Sequence, residues 1–328
     1  MQQRHIGNSG LTSSALGLGC MGMSEFYGAT DEAQSLATLG AALDAGVTLF
    51  DTADAYGFGH NEELIGRFLR GRRSAALVAT KCGLAREPGS YARRVDNSAA
   101  YIRQACEASL ARLGVDTIDL YYLHRLNLAT PLEESMGALA QLVQEGKIRA
   151  VGLCEVSAAT LRRAAALHPV AAVQSEYSLW TREPEQGVLA ACREVGASFF
   201  AYSPLGRGFL TGAISDAAQL DSQDFRQFNP RFAAANLAHN LAIVDVLRQM
   251  AHAKACTPAQ LALAWLLAQG EDIIPIPGTK RITYLQDNLG ALDVQLTAQE
   301  LAAISAAFPP GVAAGQRYTQ EGMKGIDV

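Results

Sequence analysis

Several features that would announce a function class are missing from this chain. Apolar runs such as Ile118 to Leu123 are far too short to cross a bilayer, which predicts no membrane partner. There is no basic block or stripe, and 32 acidic against 27 basic residues leave a mild net charge of −5, which argues against a nucleic-acid partner. No CxxC occurs. The six cysteines (Cys20, Cys82, Cys106, Cys154, Cys192, Cys256) are scattered without a close histidine, as expected for reduced, mostly core thiols. The six histidines (His5, His60, His124, His168, His239, His252) form no HxH or HxxxH pattern, which speaks against a metal-dependent hydrolase. The opening MQQRHIGNSG has no charged segment leading into an apolar one, so no signal peptide is predicted and the expected location is cytoplasmic. Charged residues make up only 18% and apolar residues 49%, too few charges for a disordered chain and enough apolar surface for a large core.

What is present is a regular alternation. Eight short runs rich in β-branched and aromatic residues read as strands: Ala15–Cys20, Val47–Thr52, Ala76–Lys81, Ile118–His124, Ile148–Cys154, Ala171–Tyr177, Ser198–Pro204 and Ile273–Gly278. Segments of helical period lie between them. The first starts on the potential cap Asp31 and ends at Gly46, and another starts on Ser98 and ends at Gly114. Strands apolar on both faces and alternating with helices mean a parallel sheet covered by helices. Eight such units predict a single (β/α)8 TIM barrel over residues 1–328. A doubly wound open sheet is the alternative, but no GxGxxG follows the first strand. The NSG turn near residue 9 predicts an N-terminal β-hairpin, and extra helical segments follow strand seven and close the chain.

In such barrels the active site lies at the C-terminal ends of the strands. Strand two ends on Asp51, with Tyr56 in the loop beyond, strand three on Lys81 and strand four on His124. Singly, each has a bland reading as a turn cap, a snorkelling cation or a rim histidine. Together they suit one chemistry. A phenol is a poor acid at neutral pH, and a nearby ammonium would lower its pKa. The carboxylate would hold the ammonium, and the imidazole would orient a substrate oxygen. That is a proton donor for a carbonyl becoming an alkoxide, and the hydride must come from a cofactor.

With these stretches in view (GLGCMGMSEFYG, FDTADAYGFGHNEELIG, ATKCG, DLYYLHR, VQSEYSLW, AYSPLGRGFLTG and PIPGTKRITYLQDNLGA) the chain resembles the aldo-keto reductase superfamily over essentially its whole length. The variant resembles the subgroup of aldehyde reductases with pyridoxal-reductase-like members. The resemblance implies a catalytic tetrad of Asp51, Tyr56, Lys81 and His124 and an NADP cofactor bound without a Rossmann fold. It places Tyr202 on the nicotinamide face, Gln174 on its carboxamide, and Ser203, Pro204, Leu205, Gly206 and Gly208 in the loop over the pyrophosphate. Gly278, Thr279, Lys280 and Arg281 would hold the adenosine 2′-phosphate, with Asp287 and Asn288 on the adenine. Two cations and free backbone amides at a helix start also make a phosphate site on physical grounds, so NADPH is expected over NADH, and metal is not expected.

Two departures stand out. Cys154-Glu155 replaces a Ser-Asn after strand five, so Cys154 is either a small filler or an oxidation-sensitive thiol, and Glu155 is a candidate carboxamide contact. Tyr284 stands where relatives often have Arg, Gln or Glu. The substrate, a small or medium aldehyde, would be selected by Met21–Tyr27, Cys82–Asn97, His124–Thr130, Leu205–Ala235 with Phe225, Phe228 and Phe232, and the glycine-rich tail. Arg125 and Trp180 are both within expected reach of it. A reductase is the leading function, and a slow-turnover, cofactor-sensing regulatory subunit on the same fold is the alternative.

Overall fold

A computed structural model describes residues 1–86, 94–216, 218, 220–222 and 224–327. Its centre is a ring of eight parallel strands: β1 (Leu18–Gly19), β2 (Leu49–Asp51), β3 (Leu77–Cys82), β4 (Ile118–Leu123), β5 (Ile148–Cys154), β6 (Ala172–Glu176), β7 (Ser198–Tyr202) and β8 (Ile273–Pro275). Each pairs with the next in chain order. The ring closes where the Gly17 N–H donates to the Pro275 carbonyl (3.0 Å), the Gly19 N–H donates to the Pro277 carbonyl (3.1 Å), and Gly19 bridges Gly278 in parallel. Closure at this seam needs glycine. A Cβ on Gly19 would sit 2.9 Å from the Ile276 carbonyl oxygen.

Ten helices are found among the described residues. Six of them follow β1 to β6 in turn: α1 (Glu32–Asp44), α2 (His60–Leu69), α3 (Ala99–Leu113), α4 (Leu132–Gln144), α5 (Ala158–Leu167) and α6 (Val188–Val195). After β7 come α7 (Ala234–Ala253) and α8 (Pro258–Leu267), and after β8 come α9 (Ile282–Leu289) and α10 (Ala298–Ala307). Helix starts follow the expected cap chemistry. The side chains of Asp31, Ser98, Ser157, Thr257 and Thr297 each accept from the backbone N–H three residues on. None of the described helices is long and apolar enough to cross a membrane.

The N-terminal hairpin pairs Gln3–Ile6 with Leu11–Ser14 and plugs the barrel floor. Ile6 and Leu11 join the interior cluster of Leu49, Ala79, Leu120, Tyr122, Phe200 and Ile274. Arg4 fastens the plug by donating to the carbonyls of Leu267 (2.9 Å), Gly270 (2.9 Å) and Ile273. Side chains alternate along a strand, so residues two apart face the same way. Stepping two residues up from the interior residues Leu49, Ala79, Ala172 and Phe200 gives Asp51, Lys81, Gln174 and Tyr202. The alternation that packs the barrel therefore also aims polar groups at its mouth.

Interior layers are filled to contact. Tyr122 on β4 lies against Gly152 on β5, where an added Cβ would stand 2.3 Å from the phenol ring. Both residues sit in the buried interior, leaving the ring nowhere to move. Gly152→Ala is expected to destabilise by about 1–3 kcal/mol through overpacking. The check is the urea denaturation midpoint, and a midpoint equal to that of the parent would refute the close packing.

Candidate active site

The mouth is organised around Lys81. Its Nζ donates to Asp51 Oδ1 at 2.5 Å, to the Thr52 carbonyl at 2.6 Å and to Tyr56 Oη at 3.4 Å. Gln174 Nε2 donates to the other Asp51 oxygen at 2.8 Å. Burial would push the Asp51 carboxyl up and the Lys81 ammonium down. The close pairing opposes both effects, and the lysine ends above its ordinary value, charged. His124, reached from the end of β4, sets its ring edge-on to Tyr56, with centroids 5.7 Å apart. The four tetrad residues expected from the sequence thus come together at one rim.

Tyr56 departs from expectation in one respect. Lys81 does favour the phenolate, but burial outweighs it, and the phenol is pushed up to about 12 rather than lowered. It is therefore held as the protonated acid at neutral pH. The loop that carries it runs through three left-handed residues, Gly57, Phe58 and Gly59, with φ between 56° and 93°, a conformation free for the glycines and strained for Phe58. Neighbours over-determine this turn. Arg86 donates to the Ala55 carbonyl and to Glu25, both at 2.7 Å. Buried Asn61 donates to Ser24 Oγ and accepts from Thr52, and buried Glu62 accepts from Thr80 and Arg112. Asn61 and Glu62 lie inside the stretch FDTADAYGFGHNEELIG, but only their burial marks them as supports for the loop.

The loop after β7 offers a backbone cradle. Ser203, Gly206, Arg207 and Gly208 all take left-handed φ values. A Cβ on Gly206 would meet the Trp180 indole at 2.6 Å. Arg207 donates to Glu176 at 2.6 Å, while its other terminal nitrogen, Nη1, is buried without a partner. The Gly206 and Gly208 N–H groups donate within the loop, to the Ser203 and Leu205 carbonyls (2.9 and 3.0 Å), so the donor left over for an anion is Arg207 Nη1. Pro204 and Leu205 lie in the same loop, and Gly278 and Thr279 lie across the closing seam. Tyr202 ends β7 partly exposed, its hydroxyl 3.0 Å from that of Tyr318.

Other expected positions are engaged differently from the sequence reading. Lys280 Nζ is turned onto the carbonyls of Tyr27, Gly28 and Ala29, leaving Arg281, exposed and over the ring of Tyr284, as the outward cation. Asp287 accepts from the Thr257 hydroxyl at 2.9 Å, which ties α9 to the cap of α8, and Asn288 is buried. Glu155 does not stand open for a carboxamide. Burial would raise its carboxyl, but Arg317 at 3.0 Å and Arg125 outweigh that and hold it below the usual range. Cys154 is buried, and desolvation lifts its thiol to about 12, the state of a filler rather than a thiolate.

Trp180 was expected to reach substrate and does not. It is buried and stacked on Phe209 at 4.8 Å, with Phe232 edge-on at 6.1 Å. Phe232 thus anchors its loop, Phe225 packs on Tyr27 and Phe26, and Phe228 is exposed. Of the candidate specificity segments, residues 87–93, 217, 219, 223 and 328 lie outside the described residues. The tail is pinned rather than loose. Asn229 donates to the Arg317 carbonyl, the Asp327 N–H donates to the Glu155 carbonyl, and Asp327 accepts from the Ser157 side chain at the start of α5. Arg317 of the tail pairs with buried Glu155, while Glu176 pairs with Arg207 and Arg231 of the β7 connection; Glu176, Arg231 and Arg317 are residues the sequence did not single out.

Comparison with known proteins agrees with this geometry. The family model described as the aldo/keto reductase family matches residues 15–308. The aldo-keto reductase yakc of Schizosaccharomyces pombe, whose name specifies NADP(+), is 48% identical over 320 residues, covering 96% of this chain and 94% of that protein. A glycerol dehydrogenase from Gluconobacter oxydans superposes with a TM-score of 0.83 at 31% identity, over 94% of this chain and 96% of its own. An aldo-keto reductase from Klebsiella pneumoniae in complex with NADPH superposes with a TM-score of 0.75 at 28% identity, over 98% of this chain and all of its own.

Removing one partner of a buried pair strands the other's charge. Asp51→Ala is expected to lower stability by about 3–5 kcal/mol, and Asp51→Ala with Lys81→Met by clearly less. Urea denaturation of the single and double variants checks this. A double variant weaker than the single one would show that the pair is not the constraint described.

Proposed function

The chain belongs to the aldo/keto reductase family, and on that premise we propose that it reduces aldehydes and ketones to alcohols with NADPH, using Tyr56 as the proton donor. The observation that carries this reading is the Lys81 ammonium, held charged by Asp51, 3.4 Å from the Tyr56 hydroxyl. The cofactor, when bound, supplies the hydride. Tyr56 gives its proton to the carbonyl oxygen as that oxygen gains charge. Lys81 stabilises the phenolate left behind, Asp51 acts on the lysine and not on the substrate, and His124 orients the substrate oxygen. Because the phenol is held up at about 12, the donor is loaded with its proton throughout the neutral range.

The cofactor would lie along the strip from the β7 loop to the β8 seam. Tyr202 offers a ring face for the nicotinamide. Gln174, on β6 opposite Phe200 and so one interior step below the level of Tyr202, has its amide already shared with Asp51. Ser203, Pro204, Leu205, Gly206 and Gly208 line the pyrophosphate cradle. Gly278, Thr279, Lys280 and Arg281 form the 2′-phosphate end, with Asp287 and Asn288 behind. Since Lys280 is committed to carbonyls of the β1 loop, Arg281 is the residue that favours NADPH over NADH. The substrate is a small or medium carbonyl compound.

Tyr56→Phe keeps the ring but removes the proton, and kcat/KM for 4-nitrobenzaldehyde with NADPH is expected to fall by about 10²–10⁴. Undiminished steady-state turnover would sink the role of Tyr56, while parent turnover too slow to sustain steady state would favour a cofactor sensor. Arg281→Ala is expected to raise the NADPH dissociation constant about tenfold relative to that of NADH. Fluorescence titration with both cofactors measures this, and an unchanged ratio would move the preference elsewhere.

A further inference from the structure

Four arginines are buried around the mouth, Arg125, Arg207, Arg231 and Arg317, and only two carboxylates answer them there. Glu176 pairs with Arg207 and Arg231, and Glu155 pairs with Arg317. Arg125 forms no ion pair among the described residues. Its Nη1 donates to the His124 carbonyl at 2.7 Å, and its Nε is buried without a partner. The residue is only 6% exposed. A guanidinium stays charged at every working pH, and burying one without a counter-charge costs several kcal/mol. Around it stand the phenols of Tyr202 and Tyr318 and the already paired Glu155. Such a group is tolerated where an anion arrives from outside.

Position decides which anion. Arg125 follows His124 at the end of β4, and β4 lies across the ring from β8, on the far side from the cradle described for the cofactor phosphates. It also lines a cavity of about 420 Å³ between the β4 loop, the ribbon pairing Leu84–Ala85 with Arg94–Val95, and the tail. Leu84, Val95 and Leu126 give that cavity an apolar wall, and its other charges are matched: Arg94 pairs with Asp96, Lys324 with Glu321, and Asp327 accepts from Ser157, so Arg125 is the lining cation without an ion pair among the described residues. The size of the cavity suits a small organic molecule. We propose that Arg125 anchors the anionic group of the substrate, so that the enzyme selects carbonyl compounds bearing a carboxylate. This rests on the reductase reading above.

The test uses a matched pair. The carboxylate of 4-carboxybenzaldehyde and the nitro group of 4-nitrobenzaldehyde are nearly isosteric and differ by a full charge. The ratio of their kcat/KM values with NADPH, carboxylate over nitro, is expected to fall about tenfold or more in Arg125→Gln, mostly through KM, and to recover in part in Arg125→Lys. The corresponding 3-substituted pair repeats the measurement with a different reach. A ratio that is the same in parent and variant overturns the anchor, whatever happens to the separate rates. So does a variant whose NADPH affinity weakens while the ratio holds, which would assign Arg125 to cofactor phosphate. Should the variants not fold, benzoate is expected to compete with 4-nitrobenzaldehyde in the parent enzyme where neutral benzamide at the same concentration does not, and equal inhibition overturns the proposal. Turnover of neither aldehyde overturns the reductase reading and the anchor with it. Turnover of the nitro compound without any charge dependence overturns the anchor alone.

Discussion

A lysine ammonium buried inside a barrel is the constraint from which the rest of the mouth follows. Such a group is intolerable unless its charge and its three donors are answered. Here Asp51, the Thr52 carbonyl and Tyr56 Oη answer them, and Gln174 occupies the carboxylate oxygen that the lysine leaves over. These contacts tie the ends of β2, β3 and β6 and the loop after β2 to one another. The proposed proton donor is therefore positioned by a group that cannot move without stranding a charge. Strain in the Gly57–Gly59 turn persists because Arg86, Asn61 and Glu62 hold its flanks.

Around this centre lies a second set of buried charges with a different task. Glu155 and Glu176 sit at the ends of β5 and β6, and their arginine partners come from the long β7 connection and the tail. The long β7 connection and the C-terminal tail are thus fastened to the barrel by ion pairs. Other anchors of the tail are not ionic: Asn229 and Asn240 bond its backbone directly. Arg125 is the member of this set that forms no ion pair among the described residues, which is why the proposed anchor for an anion falls on it.

Much of the fold was legible from the chain because it rests on local signals. Eight apolar runs, cap residues such as Asp31 and Ser98, terminal glycines such as Gly114 and the NSG turn each act through contacts within a few residues. The meeting of the four residues was legible because strand ends in a barrel converge, so residue types at three ends and in one adjoining loop could be added together. The harder readings concerned pairings. Gln174, Glu155, Lys280 and Asp287 were each assigned outward roles by position, yet each is engaged by a partner from another element. Trp180 read as a pocket aromatic and packs instead behind Gly206. Arg231 and Arg317 gave no signal at all, because nothing in a polar loop distinguishes a buried arginine from a solvated one.

The phenol of Tyr56 marks the division between the two sources of information. Composition, alternation and motif order by themselves determined the class of fold, the family likeness and which residue types meet at the rim, since these follow from periodicity and from short-range chemistry. The state of those residues was decided only in three dimensions. A neighbouring ammonium argued for a lowered pKa, but burial pushed the phenol to about 12. Desolvation depends on everything that covers a group, and that covering is assembled from strands, loops and a tail hundreds of residues apart in the chain. The same holds for Arg125, whose sequence neighbour suggested a role and whose lack of an ion pair became visible only once Glu155 and Glu176 were seen bonded to other arginines.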